Sequence, residues 1–343
     1  MLSRIAESLY WIGRYTERAE MTARVLDVAQ RAVLEGSDLG SSASLAAVMG
    51  GVEVTGTRDE VLAAYGVDRY VPESVASSVR AARENARTIR EALPNEMWEA
   101  INGWHLQLTA SGPSDVAGGG AHAFLTAMKA RAYQLTGVSD GSMPRTESWD
   151  WLQVGRHLER LVFGFRVLAV RAPTLTGSGF AEAYGYTVLL RCFSAVEAFR
   201  ATYRAGVGAH RVTEFLLLDP AFPRSALYAV RRLDEATARV TDETYGHAAR
   251  RTVGRLRAQL EYREADEVLA EGTAAFTTRL AEQCYDVHSA LVDEPFARGA
   301  SLAMRPMSTG ASLAMRPMST GASLATRPMS TAASLATRRG GAA

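Results

Sequence analysis

Residues 13–27 read GRYTERAEMTARVLD, three carboxylates and three arginines in fifteen residues. The stretch lies inside a longer pattern that decides the fold. An α-helix turns about 100° per residue. On that wheel Leu2, Ile5, Leu9, Ile12, Ala19, Ala23 and Leu26 cluster in one arc, with spacings of 3, 4, 3, 7, 4 and 3. Such an arc faces a core. Arg4 and Arg18 fall away from its centre and are expected in solvent. Glu20 and Asp27 fall inside it, near the angle of Leu9, while Gly13, Glu17 and Arg24 sit on its shoulder. The helix is therefore expected to send carboxylates inward over its second half.

A buried carboxylate stays charged only with partners. Arg24 lies four residues after Glu20, and Arg14 three before Glu17, which is the reach of same-helix pairing. Gly13 has no side chain, so a neighbouring helix or a ligand can approach closely there. Two readings stay open: a salt-bridged face on a long helix, or a buried polar network lining a pocket.

The pattern returns. GRHLERLVFGFRVL at 155–168 repeats GRYTERAEMTARVL at 13–26, and Gly155, Arg156, Glu159 and Arg160 match Gly13, Arg14, Glu17 and Arg18. Arg166-Val167-Leu168 then matches Arg24-Val25-Leu26. Duplication of a helical unit explains this. It would bring two Glu/Arg sets together near a pseudo-two-fold axis. Val162 stands where the first copy has Glu20, so the two sets cannot be chemically equal.

Helix formers dominate the first 299 residues, and prolines fall at helix boundaries. Helices are expected near 2–35, 58–66, 72–92, 95–110, 120–136, 144–171, 180–206, 210–218, 223–243, 247–270 and 273–292. Residues 35–44 and 111–120, rich in Gly and Ser, read as loops. The expected fold is all-α: a single large antiparallel helical bundle over residues 1–299 with internal duplication. From residue 300 an 11-residue unit, ASLAMRPMSTG, repeats with a proline in three copies. Proline breaks helices, so residues 300–343 read as a disordered low-complexity tail.

The net charge is +1, although the tail carries five arginines and no acid. That balance argues against nucleic acid or an anionic membrane as partner. No segment has the roughly 18 apolar residues of a membrane span. The N-terminus does not read as a signal peptide. Cys192 and Cys284 form no metal or disulfide framework, and a cytoplasmic location is the simple reading.

Further charged helices add candidates. RENARTIREALPNEMWEAIN contributes Glu84 and Asn85. LRCFSAVEAFRATY places Glu197 among apolar neighbours. In FLLLDPAFPRSALYAV, at 215–230, Arg224 and Ser225 open a helix whose N–H groups could hold an anion. An ordinary helix cap is the plainer reading of that segment.

Together LSRIAESLYWIGRYTERAEMTARVLD, RENARTIREALPNEMWEAIN, RHLERL and FLLLDPAFPRSALYAVRRL resemble the bacterial alpha-E family over residues 1–295. That family is all-helical, glutamate-rich and of unestablished activity. The resemblance implies a neighbouring circularly permuted ATP-grasp protein, with a transglutaminase-like protein as a further partner. It also implies a part in ATP-dependent peptide or amide bond formation. Glu7, Arg14, Glu17, Arg18, Glu20 and Arg24 match the first motif. With Glu84, Asn85, Arg156, Glu159, Arg160 and Glu197 they form the expected binding set for an amino acid or peptide end.

No catalytic residue, metal site or cofactor follows from the motifs. The six histidines are scattered, without Glu-x-x-His, His-Glu-x-x-His or zinc spacing. Residues 118–120 lack the Lys-Ser/Thr of a phosphate loop. A Mg²⁺ site from Glu17, Glu20 and Glu159 is opposed by the flanking arginines. An enzyme using a Glu general base and a purely structural scaffold are the two alternatives to a binding protein.

Overall fold

Helix α1 (Ser3–Leu34) crosses helix α7 (Glu147–Arg171) at the centre of the molecule, and the other helices pack around this pair. The computed structural model describes residues 3–34, 41–51, 53–175, 179–204, 206–241 and 246–292. Among them are fourteen α-helices and no strand. After α1 come α2 (Ser42–Met49), α3 (Arg58–Gly66), α4 (Val75–Thr88), α5 (Asn95–Ala110) and α6 (Gly120–Ser142). After α7 come α8 (Phe180–Cys192), α9 (Val196–Thr202), α10 (Ala209–Thr213), α11 (Ala226–Val240), α12 (His247–Glu261), α13 (Ala265–Glu271) and α14 (Thr273–Leu291). The sequence-predicted tail, residues 300–343, lies outside the described residues.

The halves repeat each other in packing as well as in sequence. Helices α4 and α6 pack on α1, as α11 and α14 pack on α7. Helix α2 crosses over to α7, and α8 crosses over to α1. The turns before α4 and α11 agree bond for bond. Ser74 and Ser225 are N-caps whose Oγ atoms accept from the N–H of Ser77 (2.9 Å) and Tyr228 (3.1 Å). Each Oγ also donates back to a carbonyl, of Asp68 and Asp219 respectively, at 2.5 Å. Both serines are fully buried. Ser74→Ala and Ser225→Ala should each lower stability by about 1–2 kcal/mol in a thermal melt.

The axis itself rests on two glycines. A Cβ on Gly13 would press into the Leu152 carbonyl oxygen and lie 2.8 Å from the Arg156 nitrogen. A Cβ on Gly155 would press into the Tyr10 carbonyl oxygen and lie 3.1 Å from the Arg14 nitrogen. Backbone meets backbone here, so only glycine fits at either point. Each glycine sits against the arginine that directly follows the other copy's glycine, which makes the crossing reciprocal.

Four expectations need correcting. The loop expected over 35–44 gives way to helix from Ser42, because Ser41 caps it and Leu45, Ala46, Val48 and Met49 find a core. Helix α6 runs to Ser142 instead of 136, with Leu135 and Ser139 of its last turns buried against the core. The helix expected over 180–206 breaks at Ser194, whose φ is +50°. That over 247–270 breaks between Glu261 and Ala265, where Glu264 and Glu267 form a capping box for α13.

Candidate functional site

Helix α1 is buried from Ser8 to Ala29 apart from half-buried Trp11 and Tyr15, because α4, α6 and α7 surround it. It therefore has no solvent face to receive its charges. Arg18, expected in solvent, is only 4% exposed, and Arg14, Glu17, Glu20, Arg24 and Asp27 are buried with it. On α7, Arg156 and Glu159 are buried and Arg160 nearly so.

The only two Glu-Arg dipeptides in the sequence, Glu17-Arg18 and Glu159-Arg160, exchange partners across the crossing. Arg160 grips Glu17 with two parallel bonds, Nε to Oε1 at 2.7 Å and Nη2 to Oε2 at 2.9 Å. Arg18 grips Glu159 the same way, at 2.6 and 3.1 Å. This fork geometry is the strong form of a guanidinium–carboxylate pair. Arg14 adds a second guanidinium to Glu159.

Beyond the crossing the two halves differ. Glu20 pairs with Arg24 on its own helix and with Arg224, just before α11, at 3.1 Å. Arg24 also reaches Ser194 and Tyr133. The matching arginine, Arg166, bonds the Met49 carbonyl (2.8 Å) and Tyr285 (2.6 Å). Val162 replaces Glu20 there, and Glu73 occupies the turn position of Arg224. One Glu–Arg pair thus exists on one side of the pseudo-axis and is absent on the other.

Electrostatics follow from this packing. Burial alone would lift the Glu17 carboxyl, but the Arg160 charge and hydrogen bonds, with Arg224 and Arg156 behind, hold it at about 2. Burial would lift Glu159 as well, and Arg14 and Arg18 hold it far below the usual carboxylate range. Burial, then the Arg160 and Arg156 charges, keep His157 neutral. Burial and then Arg14 push His288 down to about 4. Arg14 donates to Tyr10 Oη at 2.7 Å, and Tyr10 Oη lies 2.7 Å from His288 Nδ1, the bond a neutral imidazole accepts.

All these folded values lie below the unfolded ones, so the unfolded chain takes up protons first and acid destabilises the fold. Melting temperature should hold above pH 6.5 and fall as the histidines are forced to charge between 6.5 and about 4. It should fall further as Glu17 protonates between 4.5 and about 2. His288→Gln should flatten the upper part of that profile, read by circular dichroism.

The structure gathers eight of the twelve expected residues: Arg14, Glu17, Arg18, Glu20, Arg24, Arg156, Glu159 and Arg160. The other four stand apart. Glu7 is exposed at the start of α1. Glu84 pairs with Arg83 and Arg87 in partial exposure, at 2.6 and 2.9 Å. Asn85 donates to the Ala81 carbonyl of its own helix at 2.9 Å. Glu197 is exposed, because the break at Ser194 turns it into the first turn of α9. Arg224, Ser194, Tyr133 and Tyr10 join the cluster without having been in the expected set. Among the described residues no group of three His, Cys, Asp or Glu side chains could hold a metal ion. No helix among them is long and apolar enough to cross a membrane.

A fold of this kind, two helical units joined through reciprocal Glu-Arg pairs, defines an all-helical domain built on a charged crossing. The chain belongs to the Alpha-E family, described as a predicted alpha-helical domain with a conserved ER motif, whose model matches residues 1–296. It is 27% identical over 320 residues to an uncharacterised protein of Mycobacterium bovis, covering 84% of this chain and 36% of that one. An uncharacterised protein of Mycobacterium tuberculosis is 26% identical with the same coverage. The chain thus spans little more than a third of the length of the curated relatives it matches. No solved structure matches it.

Proposed function

We propose that the chain is a cytoplasmic, non-catalytic helical partner of an ATP-grasp-type ligase in ATP-dependent amide or peptide bond formation. In this reading the Glu/Arg cluster takes an amino acid or a peptide end, and a transglutaminase-like protein is a further partner. The observation that supports it is the buried cluster in which Arg14, Arg18, Arg24, Arg160 and Arg224 converge on Glu17, Glu20 and Glu159. The buried arginines suit a carboxylate, which a guanidinium grips through two bonds.

Affinity capture of the full chain from its own cells should recover an ATP-grasp protein in stoichiometric amount. Repeated recovery of the chain alone under low-salt conditions would sink the proposal. A second reading, a structural scaffold, is favoured by one observation: Glu17, Glu20 and Glu159 all have guanidinium partners already. Under that reading the charges set the helix register and bind nothing. Stand-alone amide transfer with a Glu general base draws no support from a Glu17 held at about 2, far from the range a base at neutral pH needs.

A further inference from the structure

The cluster does not balance. Arg14, Arg18, Arg24, Arg156, Arg160 and Arg224 face the carboxylates of Glu17, Glu20 and Glu159. Three positive charges are left over. Exposed Asp140, acting on Arg156, offsets part of that excess. Arginine cannot shed its proton to relieve the imbalance. The excess therefore selects a negative ligand.

The place where it could enter is a cleft between α7 and α11. Arg160, Arg224 and Ser225 line it, with Leu161, Phe165 and Phe193 among its apolar walls. Arg160 spends all three guanidinium nitrogens, two on Glu17 and one on the Pro223 carbonyl. Arg224 spends one, Nη1, on Glu20 and the Met21 sulfur. Its Nε and Nη2 have no hydrogen bond among the described residues. The cleft's room is about 10 Å³, that of one water or one ligand oxygen.

The other half is built from different residues at the matching positions. Thr22 stands where Gly164 does, and its hydroxyl is tied to Met49 and the Glu73 carbonyl. Glu73 stands where Arg224 does, and Val162 where Glu20 does. The glycine that lines the cleft beside the Phe193 ring, the arginine that faces it and the glutamate that holds the arginine all occur on one side only. A purely architectural crossing has no need of this asymmetry.

We propose that this cleft is a single oxyanion site, taking one oxygen of a carboxylate or phosphate group on Arg224, with the ligand's apolar part lying at the mouth. Glu20 is a positioning residue for Arg224. The proposal rests on reading the cluster as a binding site, and it narrows the ligand to its acidic end. An ammonium group has no place there, since all three glutamates are held by arginines.

Thermal-shift and calorimetric titrations of the full chain test it, with phosphate, acetate, N-acetyl-leucine and N-acetyl-leucine amide as probes at constant ionic strength in chloride. Saturable stabilisation by phosphate, or by acetate and N-acetyl-leucine, is expected, with no response to the amide. Which anion binds more tightly tells a phosphate ligand from a carboxylate one. Arg224→Gln should weaken that binding at least tenfold. Gly164→Thr copies the other half, keeps every charge, and should abolish binding, so it carries the test if Arg224→Gln does not fold. Glu73→Gln should leave binding unchanged. No anion effect beyond the chloride control overturns the site, as does an effect that survives Gly164→Thr. Capture of a ligase alongside absent anion binding would remove this inference and leave the partnership standing. Anion binding without capture would do the reverse.

Discussion

Gly155→Ala should lower the stability of the domain by about 3 kcal/mol or more, or leave no soluble fold at all. Overpacking a core usually costs about 1–3 kcal/mol, because side chains can turn aside. Here the added methyl would meet the Tyr10 carbonyl oxygen, which belongs to a helix and cannot rotate away. Relief requires α1 and α7 to separate along the line where Arg160 meets Glu17 and Arg18 meets Glu159. Those pairs are short and two-pronged, at 2.6–3.1 Å, so separation strains both of them. Gly13→Ala should act alike from the other side of the pseudo-axis. Domains keep only about 5–15 kcal/mol in hand, so the loss is a large share of the total. The control is Gly137→Ala. That glycine lies in α6 with nothing within 4 Å of its Cβ position, and alanine there should add about 0.5–1 kcal/mol. Urea unfolding followed by circular dichroism compares the three. A Gly155→Ala protein as stable as the parent would show that the two backbones do not meet as described.

The same crossing explains what could be read from the chain and what could not. Helical periodicity and proline placement are local properties, and they delivered the all-α class and most boundaries. The repeated Gly-Arg-x-x-Glu-Arg was visible because duplication copies sequence in register, and it marked the two helices that form the axis. A helical wheel assumes that one face meets water. Helix α1 has no such face, which is why Arg18 was misplaced while Glu20 and Asp27 were placed correctly. Glu197 misled for a different reason. Ser194 adopts φ +50°, where the first half has Gly50 at +76°, and a serine gives little warning of a break. Aligning the two copies beyond their first motif would have exposed it. The same alignment sets DRYVPES at 68–74 beside DPAFPRS at 219–225, and so reveals Arg224 opposite Glu73. Arg224 already stood out at the start of a helix able to hold an anion, and the comparison of the chain with itself adds that its counterpart is an acid.

Glu159→Gln should be the most damaging single charge change, at about 3–5 kcal/mol. Glu159 is fully buried, and its carboxylate is shared by Arg14 and Arg18, which are 3% and 4% exposed. Removing one partner of a buried ion pair leaves uncompensated charge inside, and here it would leave two guanidiniums. Glu17→Gln should cost less, about 1–3 kcal/mol, because Arg160 keeps its bond to Pro223 and has 15% of its side chain exposed. Replacing the whole set is a different experiment from breaking it. Desolvating three charges is expensive, so Arg14→Met, Arg18→Met and Glu159→Leu together should match the parent's stability or exceed it by about 1–4 kcal/mol. That variant separates the two meanings of the cluster. If charge only sets helix register, the apolar version keeps every partner it had. If that part of the cluster serves the partner, the apolar version melts normally yet loses the captured ligase, while the anion response persists because Arg224, Glu20 and Arg160 are unchanged. A normal melt with the ligase retained would return Arg14, Arg18 and Glu159 to architecture.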